Sequence, residues 1–168
     1  SFSELPSITL DIGKQDRSLR CNNFSMLDHD ADGDQELVLS LGSPYRGFAI
    51  LDLDSQGRLV IIKKIRPDEM LVGSGLLYSA VVDYDNDGYE DLLAISPEGN
   101  TIKAQPFYNI GGIFDSGPLI KKNFDGISGI LHNSFQLTDW DADGFKDVLA
   151  PFRSGDIIAL TLTPATLV

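Results

Sequence analysis

Cysteine and histidine are nearly absent from this 168-residue chain, which has one Cys (Cys21) and two His (His29 and His132). A single thiol rules out an internal disulfide, so no cysteine framework specifies the fold; Cys21 reads as a small buried apolar residue. Bases are scarce too: 13 Lys and Arg stand against 25 Asp and Glu, a net charge of −12. That balance argues against a phosphate-backbone partner, and no nucleic acid is expected. No apolar run approaches the roughly 18 residues a membrane-spanning helix needs, so no membrane insertion is expected. The motifs G-x-S-x-G and H-E-x-x-H are missing, and the short Gly73-Ser74-Gly75 reads as a turn, so a non-catalytic role is expected. There is no basic-plus-apolar leader, and the expectation is a mature or trimmed product. With 42% hydrophobic residues the chain is rich enough for a real core, and residues 1–168 read as a single domain.

The acidity is present in three places. Residues 28–36 read DHDADGDQE, 83–91 DYDNDGYED and 139–147 DWDADGFKD. These windows hold 14 of the 25 acids and one base, Lys146, while the rest of the chain holds 11 acids and 12 bases. The charge is therefore local to three loops and not a general solubilising coat. Asp28 to Asp83 is 55 residues and Asp83 to Asp139 is 56, a period that marks an array of supersecondary units.

Short apolar runs of about five residues flank every window and show no helical repeat, which predicts strands. One unit reads as four strands: Phe24 to Leu27, Glu36 to Leu41, Phe48 to Leu53 and Leu59 to Ile65, the last two joined by the turn Ser55-Gln56-Gly57. The second has Tyr78 to Val82, Asp91 to Ser96, Thr101 to Phe107 and Pro118 to Lys122 after a glycine-rich excursion, Ile110 to Gly117. The third has Phe135 to Thr138, Asp147 to Phe152 and Asp156 to Leu162, and ends one strand short. The repeats thus span approximately 19–66, 74–122 and 130–162, with a spare strand at 7–12.

Within each window carboxylates fall at positions one, three, five and nine, with glycine at six. Gly33, Gly88 and Gly144 permit a sharp turn, because glycine reaches positive φ without steric cost. The residue at seven varies (Asp34, Tyr89, Phe145), as expected where only a backbone carbonyl is used. Hard oxygens in this number suit calcium; zinc would want His or Cys, and magnesium fewer protein ligands. The alternative is a set of solvated acidic turns without metal. An EF-hand is rejected: its position twelve needs a bidentate Glu, and here that position is Leu39, Ala94 or Ala150 between strands.

An apolar strand, D-x-D-x-D-G-x-x-D, then a second apolar strand, three times at this period, resembles the FG-GAP/VCBS repeat, related to the integrin α-subunit propeller. The resemblance covers roughly residues 19 to 162. It implies an all-β fold, a β-propeller-type array of three four-stranded blades, with about three Ca2+ ions in the loops between the first two strands of each blade. The implied ligands are Asp28, Asp30, Asp32 and Glu36; Asp83, Asp85, Asp87 and Asp91; Asp139, Asp141, Asp143 and Asp147, with the carbonyls of Asp34, Tyr89 and Phe145. Glu36 departs from the usual final Asp. Three blades would leave apolar faces open, so either further blades of a longer parent chain or a homodimer closing a six-bladed ring is expected, with strand 7–12 completing the third blade.

The expected function is a calcium-stabilised extracellular recognition or adhesion module binding a protein or glycan partner. The alternatives are a non-catalytic accessory propeller of a secreted enzyme and a structural repeat of a surface assembly. Location leans extracellular or cell-surface, periplasm included, where calcium is abundant. Tyr45, Arg46 and Arg153 in the connecting loops are the side chains expected to anchor a partner. His29, Tyr84 and Trp140, at position two of each window, are expected to point outward over the loops as a shield or an aromatic platform.

Overall fold

The computed structural model describes residues 21–42, 45–68, 71, 77–125, 135–163 and 166–167. The expected strand at 7–12, His132 and the Gly73-Ser74-Gly75 turn lie outside them. Among the described residues every regular element is a strand, and the fold is all-β. β1 (Cys21–Leu27), β2 (Glu36–Leu41), β3 (Gly47–Leu53) and β4 (Leu59–Ile65) form the first antiparallel sheet in that order. β5 (Tyr78–Val82), β6 (Asp91–Glu98), β7 (Thr101–Ile110), β8 (Ile113–Ser116) and β9 (Ile120–Asn123) form the second. β10 (Gln136–Thr138), β11 (Asp147–Pro151) and β12 (Ile157–Thr163) form the third, extended by the two-residue β13 (Thr166–Leu167).

Two details differ from the sequence expectation. The excursion from Ile110 to Gly117 is itself a hairpin arm. β7 is ten residues long, and one edge of it pairs with β8 over 107–110 and with β9 over 101–104. Gly117 joins the two, its N–H donating to Pro106 O at 2.9 Å. The third sheet does not stop at three strands either, because Thr163 pairs with Thr166 and Leu162 with Leu167.

The apolar runs that read as doubly buried strands are explained by how the sheets pack. In β6, Leu92 and Ala94 point into a core shared with Leu27, Val38, Phe48 and Ile50 of the first sheet. Leu93 and Ile95 point the other way, into a core shared with Val148, Ala150 and Leu160 of the third. Strand alternation sends successive side chains to opposite faces, so a strand covered on both sides needs an unbroken apolar sequence. Phe48 and Phe107 meet edge-to-face at 6.3 Å across the first junction, and Phe124 and Phe152 lie 5.5 Å apart in the second core. Each such ring contributes on the order of 1.5–3 kcal/mol by burial.

A polar seam joins β1 to β5. The Asn23 side chain donates to Ser79 O and accepts from Ser79 N–H, both at 3.0 Å. The hydroxyls of Ser25 and Ser40 lie 2.7 and 2.9 Å from Ser79 Oγ. A side-chain amide here satisfies backbone groups as a neighbouring strand would, fixing the sheets' relative position.

Candidate metal loops

Each acidic window connects the first two strands of its sheet, and the strands close it in the same register: Leu27 opposite Glu36, Val82 opposite Asp91, Thr138 opposite Asp147. The backbones inside match as well. Position four is left-handed in all three, with φ of 60° at Ala31, 59° at Asn86 and 61° at Ala142, and the glycines at position six have φ of 93°, 94° and 93°. The glycines meet nothing that a Cβ would strike, so their conformation, and not space, is what requires glycine.

Backbone N–H groups orient the carboxylates alike in each loop. At position one, Oδ2 of Asp28, Asp83 and Asp139 accepts from the glycine N–H at 3.1, 3.0 and 3.1 Å. At position five, Oδ1 of Asp32, Asp87 and Asp143 accepts from the N–H of Asp34, Tyr89 and Phe145 at 2.9, 2.8 and 2.8 Å. At position nine, one oxygen of Glu36, Asp91 and Asp147 accepts the position-two N–H at 2.8 Å in every case. The closing acid thereby ties the end of the loop to its beginning.

Carboxylate oxygens of these residues converge. Ligand atoms of Asp83, Asp85 and Asp91 lie within 4.8 Å of one another, and so do those of Asp139, Asp141 and Asp147. Oxygens bound to one calcium at about 2.3–2.6 Å can be no farther apart than about twice that length, and both groups meet this condition for a shared dication. Asp87 and Asp143, expected as ligands, lie outside these groups; what holds them is the position-seven N–H.

The position-nine acids differ sharply in their surroundings. Asp91 Oδ1 accepts Asn109 N–H at 2.7 Å. Burial pushes its pKa above the ordinary aspartate range, against the pull of the Asn109 and Tyr84 N–H groups, and the charges of Asp85 and Asp87 push the same way as burial. Asp147 is only 1% exposed, and its Oδ1 is buried with no hydrogen-bond partner. A buried oxygen left without a donor costs about 1–3 kcal/mol.

The first loop departs from both. Its closing acid, Glu36, groups with Asp30 but not with Asp28. Ligand atoms of Asp28, Asp30 and Asp32 form one group, and His29, Asp30 and Glu36 form another that shares Asp30. His29 does not point outward as expected: its side chain is 15% exposed, with Nδ1 2.7 Å from Glu36 Oε2. Asp28 Oδ1, like Asp147 Oδ1, is buried without a partner.

The other position-two residues divide as well. Tyr84 is buried in the second core, 5.9 Å from the Tyr108 ring, and burial pushes its hydroxyl up to about 12, with a further push from Tyr108. Trp140 is 69% exposed. The three therefore form no common platform.

The second sheet reaches across to hold the first loop, through residues the windows do not reveal. Asn109 Nδ2 donates to His29 O at 2.8 Å and to Glu90 O at 3.1 Å, while its Oδ1 accepts Gly112 N–H at 2.9 Å. Glu90 Oε2 accepts Asp28 N–H at 2.9 Å, and Lys63 Nζ donates to Gly112 O at 2.6 Å. The only hint in the sequence is the turn-forming Asn109-Ile110-Gly111-Gly112.

Of the expected partner anchors, Tyr45 lies between Lys64 and Arg66, whose cationic groups stand 5.8 and 5.2 Å from its ring, and Arg46 and Arg153 are exposed. A cleft of about 100 Å3 lined by Asn23, Tyr78, Ser79, Phe135 and Gln136 opens between β1, β5 and β10. It is well below the roughly 300 Å3 at which ligand pockets begin. No family model, curated protein or solved structure matches the chain.

Proposed function

We propose that this chain is a calcium-stabilised segment of a β-propeller of the FG-GAP/VCBS kind, acting outside the cell as a recognition or adhesion module. The observation that carries the calcium reading is Asp147 Oδ1, buried and without a donor beside Asp139 and Asp141. A dication supplies what that oxygen lacks, and it offsets the repulsion among the neighbouring carboxylates. The repetition of loop geometry supports the same role for the second window. Binding in preference to catalysis is supported by the ligand set: the carboxylates that would hold the ion are committed to loop backbone, and calcium is a weak activator of water.

The propeller reading is supported by three sheets packed face to face at a 55–56-residue period. Ile158 and Leu160 face the second sheet, so Ile157 lies on the opposite face of β12, where it is 69% exposed. That face suits a further blade, from a longer parent chain or from a second copy closing a ring. Exposed Arg46, Trp140 and Arg153 are the candidate contacts for a protein or glycan.

Equilibrium dialysis with calcium, paired with thermal melts in calcium and in chelator, tests the proposal. Bound calcium and a rise in Tm are expected, since a ligand of the folded state stabilises it by mass action. Identical melts with no bound calcium would reject it.

A further inference from the structure

We infer that this chain associates with a second copy of itself head to tail, the third sheet of one copy packing on the first sheet of the next. The contact rests on the reading of the chain as a stack of repeating sheets and is independent of calcium. Register carries it. The positions that fill both interior junctions recur at the two ends of the stack, and there they are exposed.

Consider the face that each sheet turns to the one before it. Ser79 and Phe135 both stand four residues ahead of the first acid of their windows, and Val81 and Leu137 stand two ahead. Ser79 is buried against Asn23 of the first sheet, and the Phe135 ring lies 5.6 Å from that of Tyr78 in the second. Val81 and Leu137 pack into the cores of the first and second junctions. In the first sheet the same two places are held by Phe24 and Met26, which are 68% and 46% exposed. They pair with Leu39 and Leu37, so they lie on the face of the sheet opposite Val38 and the second sheet.

The face turned to the following sheet shows the same contrast. Phe48, opposite Ser40, and Ala104, opposite Ile95, are buried in the first and second cores. The matching residue of the third sheet is Ile157, opposite Pro151, and it is exposed. Position two agrees. Asn109 and Gly112 of the second sheet close over His29, Tyr84 is buried in the core shared with the third sheet, and Trp140 is exposed.

One end of the stack thus shows apolar groups where a preceding sheet belongs, and the other end shows them where a following sheet belongs. A second copy brings to each end the surface that the chain's own junctions already use, so the contact continues an interface present twice within the chain. Burial of the exposed rings and aliphatic groups drives it. Unlike faces meet, which makes the contact heterologous, and every copy offers one face of each kind.

Sedimentation velocity of the full chain at rising micromolar concentration should show mass growing in steps of one chain. Phe24→Arg and Ile157→Arg place a charge on opposite ends, and each should weaken association at least tenfold. Mixed in equal amounts they should recover a dimer, because each keeps the face the other lacks; a contact between like faces could not be rescued in this way. Both side chains are exposed, and near-ultraviolet circular dichroism matching the dilute wild-type chain shows that the variants are folded. A wild-type chain that stays monomeric would overturn the inference and leave the two faces to further sheets of a longer parent chain. Association that survives either variant, or a mixture that stays monomeric, would overturn it as well. A monomer that binds calcium leaves the calcium proposal standing, and association without bound calcium does the reverse.

Discussion

The second and third acidic loops have the same backbone, the same strand register and the same closing bond to position two, yet their closing acids stand differently. Asp91 has donors on both oxygens, one of them the N–H of Asn109. Asp147 has a donor on one oxygen and none on the other. The loop's own sequence therefore sets its shape, while the strand behind it sets how much it gains from a cation. A cation bound at the third loop would relieve an existing cost; at the second it would meet an acid whose oxygens already have donors.

The largest effect is expected on the second loop's support. Asn109 is fully buried and its side chain makes three hydrogen bonds, so Asn109→Ala should cost about 2–4 kcal/mol in chemical denaturation. A loss under about 1 kcal/mol would show that the Asn109 side chain does not brace Glu90 and the first loop; the backbone N–H that serves Asp91 is untouched by this change. Next comes the direct contrast in chelator. Asp91→Asn replaces one of two engaged acceptors with a donor and should cost about 1–3 kcal/mol. Asp147→Asn removes a buried charge from an oxygen that had no partner, and should change stability by no more than about 1 kcal/mol while abolishing calcium at that loop. Equal losses would break the comparison.

A pH series sharpens it further. The folded-state pKa of Asp91 is raised, chiefly by burial, so its protonated form is favoured on folding. The stabilisation is full below the ordinary aspartate pKa and disappears as pH rises through the raised value. In chelator, acidification into that window should therefore stabilise wild type relative to Asp91→Asn; bound calcium should suppress the trend. Flat difference curves would reject the effect. The smallest change is expected at position four. Ala31 and Ala142 hold φ near +60°, and glycine relieves a cost of about 1–2 kcal/mol at an entropic price. Ala142→Gly should raise Tm in chelator by no more than a few degrees; a fall would mean that the strain is absent.

Much of this was legible before the coordinates. The spans of β4 and β5 agree with the runs read from the sequence, β5 as a short apolar run and β4 as the second arm of a hairpin whose alternate residues are exposed. The windows were legible because glycine and acid spacing are local. What was not legible is what one unit does to the next. His29 reads as outward by its place in the loop, and turns in because Glu36 is long and the Asn109–Gly112 turn lies over it. Asn109, 80 residues away, carries no local signature of that role. The glycine excursion hid β8 for a related reason: its partner is the far end of an unusually long strand.

That double pairing along β7 has a consequence for assembly. The outer margin of the second sheet is split between two four-residue strands, β8 and β9, and β9 carries Lys121 and Lys122. A broken, basic margin is a poor template for a foreign strand. Growth of this protein by edge-to-edge ladder formation is disfavoured at that margin of the second sheet.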